Sequence, residues 1–571
     1  MKSKLLLALA SSALLVACGS GSGTAYTSGS TAANSASGQT SAVSVSEDSV
    51  TSEFSLVDES GNAISASSGV YSITAAGTYT ASGKLSGQIY VNAADAEVEL
   101  DLDGVSISNS SVSPIFVETC ADFDLKVKSG TTNYIYDNRT TDYSETTDES
   151  VGTAAIYVAD GDLKIKGTGT LSIVSLANSG IHGKDNVTVK NVTMLVKAVN
   201  NGIKGNDKVT VEENPTLGIV AGNNGIRTSN SEVGTNAQHG YVYINGGAIT
   251  INSYGDGIDA AYAVEFGTST DDDGNTCAPT VDIYTNIYSS YSYSAVTSSS
   301  RKSAYAGPGG NQGGGNQDGG NQGGGGFDGG GMTGGSSAEK ADESAKAIKA
   351  PEAINIAAGD IFCYTYDDCI HTNGDDTLDS GATPSAQINV TGGTLNLKAS
   401  DDALHADGTL TISGGTINVA ESHEGVEANT LNIKGGETTV YASDDGLNAS
   451  SQLNISGGRV DVNMSASGDV DGIDSNGSIT ISGGTVITRG PASDMSGAID
   501  ADGNVSIKGG AVVIIGYCPT ISSSLTKTTT SSGLSSGSHT VTFGSTSFSY
   551  SNAYTYSGSA YVFASSTATI S

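Results

Sequence analysis

Apolar and polar residues alternate with a period of two through much of the chain, in short runs such as Leu410-Thr411-Ile412, Ile417-Asn418-Val419, Leu453-Asn454-Ile455 and Val460-Asp461-Val462. This alternation predicts strands with one buried face. Gly-Gly pairs punctuate the runs, beginning at Gly246, Gly392, Gly414, Gly435, Gly457, Gly483 and Gly509, and the last six are spaced by 22, 21, 22, 26 and 26 residues. Such a pair supplies the backbone freedom for a tight corner. A further strand follows a second corner, with the pattern acidic-or-Asn, small, aliphatic, variable. Its aliphatic position reads Ile181, Ile203, Ile226, Ile258, Ile370, Leu404, Val426, Leu447, Ile473 and Ile499. Three strands per repeat of this length describe one coil of an all-β solenoid, a single-stranded parallel β-helix. The 3.6-residue period of a helical repeat and the six-residue beat of a left-handed hexapeptide helix are both absent.

The pattern divides the chain. Residues 1–18 read as a lipoprotein signal peptide: Lys2 and Lys4 precede an apolar run from Leu5 to Val16, too short to span a bilayer. The run ends in Val16-Ala17-Cys18-Gly19, which resembles a bacterial lipobox with Cys18 as the acylated residue. Residues 19–49 are a Ser, Gly, Thr and Ala tether, and 50–522 are the β-helix. Within the helix, a Gly-rich Gly-Asn-Gln insert is assigned to 300–350 and expected to be disordered, because it cannot bury apolar area. Residues 523–571, rich in Ser, Thr and aromatics, are expected to form a strand-rich cap over the open end. The protein is expected outside the cytoplasm, held to a cell-surface or outer membrane by lipid alone, and monomeric.

Composition sharpens the picture. Gly is 77 of 571 residues, about twice the usual share. There are 25 basic and 60 acidic residues, a net charge of −35, which excludes a phosphate-binding, nucleic-acid function. Beyond Cys18 the cysteines are Cys120, Cys277, Cys363, Cys369 and Cys518, without zinc spacing. Cys363 and Cys369 are near enough in sequence for a disulfide, although small core residues are the plainer reading.

The stretches Asp401-Asp402-Ala403-Leu404-His405-Ala406 with Leu410 to Val419, and Asp444-Asp445-Gly446-Leu447-Asn448-Ala449 with Leu453 to Val462, resemble the coils of bacterial carbohydrate-binding, pectate-lyase-like β-helix proteins. Asp256-Gly257-Ile258-Asp259 matches more briefly. The resemblance implies a right-handed helix, calcium along acidic columns and affinity for cellulose-like or acidic plant polysaccharides, without assured lyase activity.

Two columns flank the aliphatic one. Two residues before it stand Asp256, Asp368, Asp402, Glu424, Asp445 and Asp471, with Asp367, Asp401, Asp444 and Asp469 beside them. One residue after it stand His182, Lys204, Arg227, Asp259, His371, His405, Glu427, Asn448 and Asp474. Stacked carboxylates about 5 Å apart repel by ~3 kcal/mol at an effective dielectric of 20. Oxygen donors in loose geometry suit Ca²⁺. Asp367, Asp368, Asp401, Asp402, Glu424, Asp444, Asp445, Asp469, Asp471 and Asp474 are therefore the candidate calcium ligands, the alternative being a solvated acidic face of turn formers. His371 and His405 occupy equivalent places, with room for a coil between them, and are expected to be surface turn residues. His182, Lys204 and Arg227, and the aromatic faces of Tyr364 and Tyr366, are the candidate glycan contacts. The junction of Lys204 and Arg227 with Asp256 and Asp259 is where a calcium-dependent lyase would keep its base. An Arg227–Asp259 ion pair is the simpler expectation there. The readings are thus a polysaccharide binder, a polysaccharide lyase, or a structural adhesin or stalk.

Overall fold

The computed structural model describes residues 50–140, 149–232, 239–286, 344–374, 378–493, 496–530 and 533–571. The stretches read as a signal peptide with Cys18 and as a tether, and the Gly-rich tract through residue 343, lie outside the described residues.

The chain winds into a parallel β-helix whose strands join one 43-stranded sheet. Three ladders run along its axis. In the first, Ile89, Ile115, Ile156, Ile181, Ile203, Ile226, Ile258, Ile348, Ile370, Leu404, Val426, Leu447, Ile473 and Ile499 follow one another in register. Every one is fully buried. The aliphatic column is thus continuous, and longer than the sequence pattern shows: residues from Val70 to Val158 supply further rungs at its start. The second ladder includes Val209, Val242, Val264, Ile354, Ile388, Leu410 and Leu431. The third includes Ile219, Ile251, Ile283, Cys363, Leu397 and Val419. Inward side chains of all three form one apolar cluster from Leu56 to Phe563. Each rung adds its share only when its neighbours are in place. The five described cysteines are unpaired thiols, so no disulfide links Cys363 to Cys369.

One rung escapes the sequence pattern. Ile348–Ala350 pairs with Ile258–Asp259 on one side and with Ile370–Thr372 on the other. Residues 344–350, counted with the insert in the sequence reading, therefore belong to the helix.

At the C-terminal end, Ile521–Ser523 continues the second ladder. Ala560–Ala564 then runs antiparallel to Ala511–Ile515, the last strand of the third ladder, and Thr526–Thr530 pairs with its other edge. This reversal stops axial propagation of the ladder. Gly537–Phe543, Thr546–Asn552 and Ala568–Ile570 form a separate antiparallel sheet that packs Val541, Tyr550 and Tyr556 on the flank at Ile487, Val513 and Ile515. The fully buried Arg489 ties the two parts: it donates to Asp461 Oδ1 at 2.7 Å and Val462 O at 2.9 Å on the helix, and to Asn552 Oδ1 at 2.7 Å in the cap.

The Gly-Gly corners join the second ladder to the third. At Gly457 a Cβ would lie 2.3 Å from the carbonyl oxygen of Lys434 on the preceding rung, and Gly458 has φ +78°. The first glycine is required by space, the second by its backbone angle. Gly457→Ala is expected to destabilise the helix by about 1–3 kcal/mol, the range for overpacking. A denaturant melt with an unchanged midpoint would contradict this corner geometry.

Candidate cation and glycan sites

The acidic column lies at the corner between the third and first ladders, and its carboxylates have a structural duty. Asp256, Asp368, Asp402, Asp445 and Asp471 each accept a hydrogen bond from the backbone of the next rung, whereas Glu424 accepts from the Asn448 side-chain amide at 3.0 Å. Asp402 N–H donates to Asp368 Oδ1 at 3.0 Å, Glu424 N–H to Asp402 Oδ1 at 3.2 Å and Asp471 N–H to Asp445 Oδ1 at 3.0 Å. Asn224 does the same for Asp256 N–H at 2.9 Å, and Asp256 for Lys346 N–H at 2.8 Å. An Asp or Asn is selected here because its short side chain offers an acceptor one rung up. The second carboxylate oxygen remains for other partners.

Those partners differ along the column. Lys346, on the rung the sequence pattern hides, places its ammonium 2.7 Å from Asp367 Oδ2 and 3.0 Å from Asp368 Oδ2. Burial opposes the Lys346 charge, but the two carboxylates outweigh it and raise its pKa. Burial would likewise raise Asp368, yet His371 and Lys346 hold it far below the usual carboxylate range. Asp367 and Asp368, expected as calcium ligands, thus already have a cation from the chain itself.

His371 and His405 depart from expectation in another way. They are in register on adjacent rungs with no coil between them, and their rings stack with centroids 4.4 Å apart and an interplanar angle of 8°. Neither is fully exposed. His371 Nδ1 is 2.5 Å from Asp368 Oδ2 and His405 Nδ1 is 2.9 Å from Asp402 Oδ2. Glu427 Oε2 lies 3.0 Å from His405 Nδ1. Burial disfavours a charged His405, but Asp402 and Glu427 prevail and lift its pKa to about 9. This corner favours positive charge. It borders an open depression of about 460 Å³ whose walls include His405, Asp407 and Glu427.

Further along, the acids lack such partners. No Lys or Arg ion pair reaches Glu424, Asp445, Asp471 or Asp474 among the described residues. Burial, reinforced by neighbouring carboxylates, raises Glu424 to about 9, Asp445 to about 8, Asp471 to about 7 and Asp474 to about 6. Donor atoms close enough to share one ion occur in Asp367, Asp368 and Asp401; in Asp401, Asp402 and His423; and in His423, Glu424 and Asp444. Asp445, Asp469, Asp471 and Asp474 enter no such group among the described residues, and Asp469 instead accepts from Ser496 Oγ at 3.1 Å. Of the four uncompensated acids only Glu424 joins such a group, and carboxylate oxygens of this kind suit a hard divalent cation.

The expected glycan contacts are redistributed. His182 is buried, its ring nitrogens meeting Thr153 Oγ1 at 2.6 Å and Asn206 Oδ1 at 3.1 Å. Lys204 is buried beside it in the ladder. Arg227 forms the cross-rung ion pair with Asp259, Nε to Oδ2 3.4 Å. Tyr366 is buried and offers no face to a sugar. Tyr364 points outward, but Lys398 Nζ sits 4.8 Å from its ring centroid. An aromatic face the sequence reading missed lies on the second ladder. Tyr241 and Tyr243 stack with centroids 5.4 Å apart at 6°, and Tyr262 stands 5.1 Å from Tyr241. Their alternation within Tyr241–Ile244 is the available signal, since both must leave the core side together. In register beyond Tyr243 come Glu265, Asn355 and Asn389, linked by amide hydrogen bonds of 2.7 and 2.9 Å.

The family model described as "Carbohydrate-binding domain-containing protein" matches residues 67–387, 379–425 and 426–570. The chain belongs to this carbohydrate-binding domain family. A protein of Acetivibrio thermocellus with the same description is 32% identical over 127 residues, which are 22% of this chain and 44% of that protein. The match therefore spans less than half of that relative. A solved structure, described as the polysaccharide lyase-like protein from C. thermocellum in a gadolinium derivative, is 30% identical and covers 41% of this chain and 92% of its own, with a TM-score of 0.36.

Two outcomes follow for this carbohydrate-binding domain protein. Lys346→Met leaves Asp367 and Asp368 buried without their ammonium and should cost about 3–5 kcal/mol, as for a broken buried ion pair. Chemical denaturation measures this, and a loss below about 1 kcal/mol would mean that the two acids do not depend on Lys346. The second outcome concerns pH. Glu424, Asp445, Asp471 and Asp474 have folded pKa values above their unfolded ones. The native state then binds more protons, so stability falls as pH rises through that window. In chelator, the melting temperature should fall between about pH 5 and pH 9, and Ca²⁺ should flatten the fall. A melting temperature that climbs over this range would contradict the burial of these acids.

Proposed function

We propose that the protein is a lipid-anchored surface protein that binds plant cell-wall polysaccharide, cellulose-like or acidic and pectic, along a calcium-stabilised β-helix. The family supports carbohydrate binding. The observation that carries the reading is the outward face of the second ladder, where Tyr241 and Tyr243 lead into Glu265, Asn355 and Asn389. Parallel aromatic rings offer stacking faces for pyranose rings, and the amides beyond them offer donors and acceptors for hydroxyls. Axial repetition places these groups about 4.8 Å apart, so a linear glycan can meet several rungs at once.

Calcium, when bound, would bridge and neutralise carboxylates of neighbouring rungs. Asp401, Asp402, Glu424 and Asp444 are the residues to hold it, with Asp445, Asp471 and Asp474 as further oxygen donors along the same column. The Cys18 lipobox and the tether after it support an extracytoplasmic, membrane-anchored location. At the junction where a lyase would keep its base, Arg227 is paired with Asp259 and Lys204 is buried. We therefore propose binding without cleavage.

The test is retention on insoluble cellulose and on pectin, with and without Ca²⁺, alongside ultraviolet detection of unsaturated uronides. Wild type should be retained and release no uronide. Tyr241→Ala and Tyr243→Ala should each weaken retention about five- to tenfold, the worth of one aromatic stacking contact. Undiminished retention in the double variant would remove the second-ladder face from the proposal.

A further inference from the structure

The outward face of the third ladder carries, on another side of the helix, chemistry like that of the second. Phe362, Asn396, Asn418 and Thr439 follow one another in register on four successive rungs. All four point away from the core and are partly exposed. Asn418 Nδ2 donates to Asn396 Oδ1 at 3.1 Å, an amide ladder of the kind that joins Asn355 to Asn389. Phe362 packs its ring against Tyr284 with centroids 5.7 Å apart. Beside this column Lys398 lies over the Tyr364 ring and places its ammonium 2.7 Å from Glu421 Oε2. The strip ends at the seam between helix and cap. Val440 pairs with Val462 and Asn463 with Arg489, which sets Tyr441 two rungs before the arginine that holds the cap. From the cap side comes Tyr554, edge-on to Tyr556 with centroids 6.4 Å apart at 90°. Tyr556 is fixed in turn, its hydroxyl donating to Met464 O on the helix at 2.6 Å. Partial burial and then Asp461 raise the Tyr441 hydroxyl, and Tyr554 adds to the rise, so the two tyrosines are within electrostatic reach of each other.

Tyr441 is 37% exposed and Tyr554 46%; with Tyr254 they are the large hydrophobic side chains most open to solvent among the described residues. A single exposed tyrosine needs no partner, but two at one end of an amide ladder form a surface with a direction. The charges beside them are matched, in a chain whose net charge is −35. Glu421 pairs with Lys398, Glu437 and Asp461 pair with Arg459, and Asp461 also pairs with Arg489. A polyanion or a polycation would have to compete with these pairs, whereas a neutral partner would not. We propose that the strip from Phe362 to Tyr441 and Tyr554 is a second glycan face, which takes a neutral linear polysaccharide. Tyr441 and Tyr554 offer rings to pyranose faces at the seam, and Asn396 and Asn418 meet hydroxyls between the aromatic ends. This rests on the reading that the protein binds polysaccharide, and adds to it a separate face and a neutral ligand. The four rungs span about 14 Å from first to last, enough to meet more than one sugar residue. Two such faces on one rod can hold neighbouring chains of an insoluble glycan, where the second contact is effectively intramolecular.

The full chain, with Ca²⁺ present, is run by native affinity electrophoresis in gels holding hydroxyethylcellulose, a neutral linear glucan, or polygalacturonate, an acidic one. Hydroxyethylcellulose should retard the wild type. Tyr441→Ala and Tyr554→Ala should each weaken that binding about three- to tenfold, the worth of one stacking contact. Both side chains are exposed, so the fold is retained. Added to Tyr241→Ala and Tyr243→Ala, the two changes should lower binding below that of either pair alone. Tyr254→Ala, on a rung two before the strip begins, should leave it unchanged. Binding of the Tyr441 and Tyr554 double variant equal to wild type would overturn the strip while leaving the second-ladder face standing. So would an equal loss in Tyr254→Ala, or a double variant weakened toward polygalacturonate and not toward hydroxyethylcellulose. A wild type retarded by neither polymer would overturn glycan binding itself, and the strip with it.

Discussion

Axial stacking of rungs about 4.8 Å apart governs everything else in this molecule. A parallel β-helix sets each residue directly against its counterpart one turn away. Where the repeated residue is aliphatic, that contact is the source of stability, and the column from Ile89 to Ile499 is buried throughout. Where the repeated residue is an aspartate, the same contact is a repulsion. The fold therefore creates an electrostatic problem wherever its corner demands an Asx side chain.

The chain answers that problem differently along its length. At Asp368, Asp402, Asp445 and Asp471 one carboxylate oxygen accepts from the next rung's backbone. Around Asp367 and Asp368 the remaining charge is met by Lys346 and His371. Around Asp402 and Glu427 it is met by His405. Among the described residues no Lys or Arg reaches Glu424, Asp445, Asp471 or Asp474, and burial there pushes the acids toward their neutral forms. That gradient makes the calcium reading specific to one part of the column. The same gradient sets an imidazole-lined corner between the lysine-neutralised acids and the uncompensated ones.

The outward faces carry a different economy. On the first ladder His182 and Lys204 are enclosed by adjoining chain. On the second ladder the outward positions near Tyr241 stay open enough to hold aromatic and amide groups in register. Open outward faces are thus confined to those that corner loops leave uncovered, and the proposed glycan face is one of them.

The alternation of apolar residues and the Gly-Gly spacing determined the β-helix, because a period-two strand and a tight corner are local properties of consecutive residues. The aliphatic column and the acidic column beside it followed from the same repeat. Neighbours across rungs were decided only by the tertiary structure. Lys346 was hidden because the rung carrying it follows the long insert, where no spacing connects Ile258 to Ile348. His371 and His405 are 34 residues apart in sequence, which suggested a coil between them, yet the excess chain lies in a corner loop and the ladder register is unaffected. Tyr366 stands past the end of a strand, where strict alternation ends, so its burial could not be read from parity. Period and composition are written in the chain itself. Adjacency depends on how much chain each corner absorbs, and only the wound structure sets that.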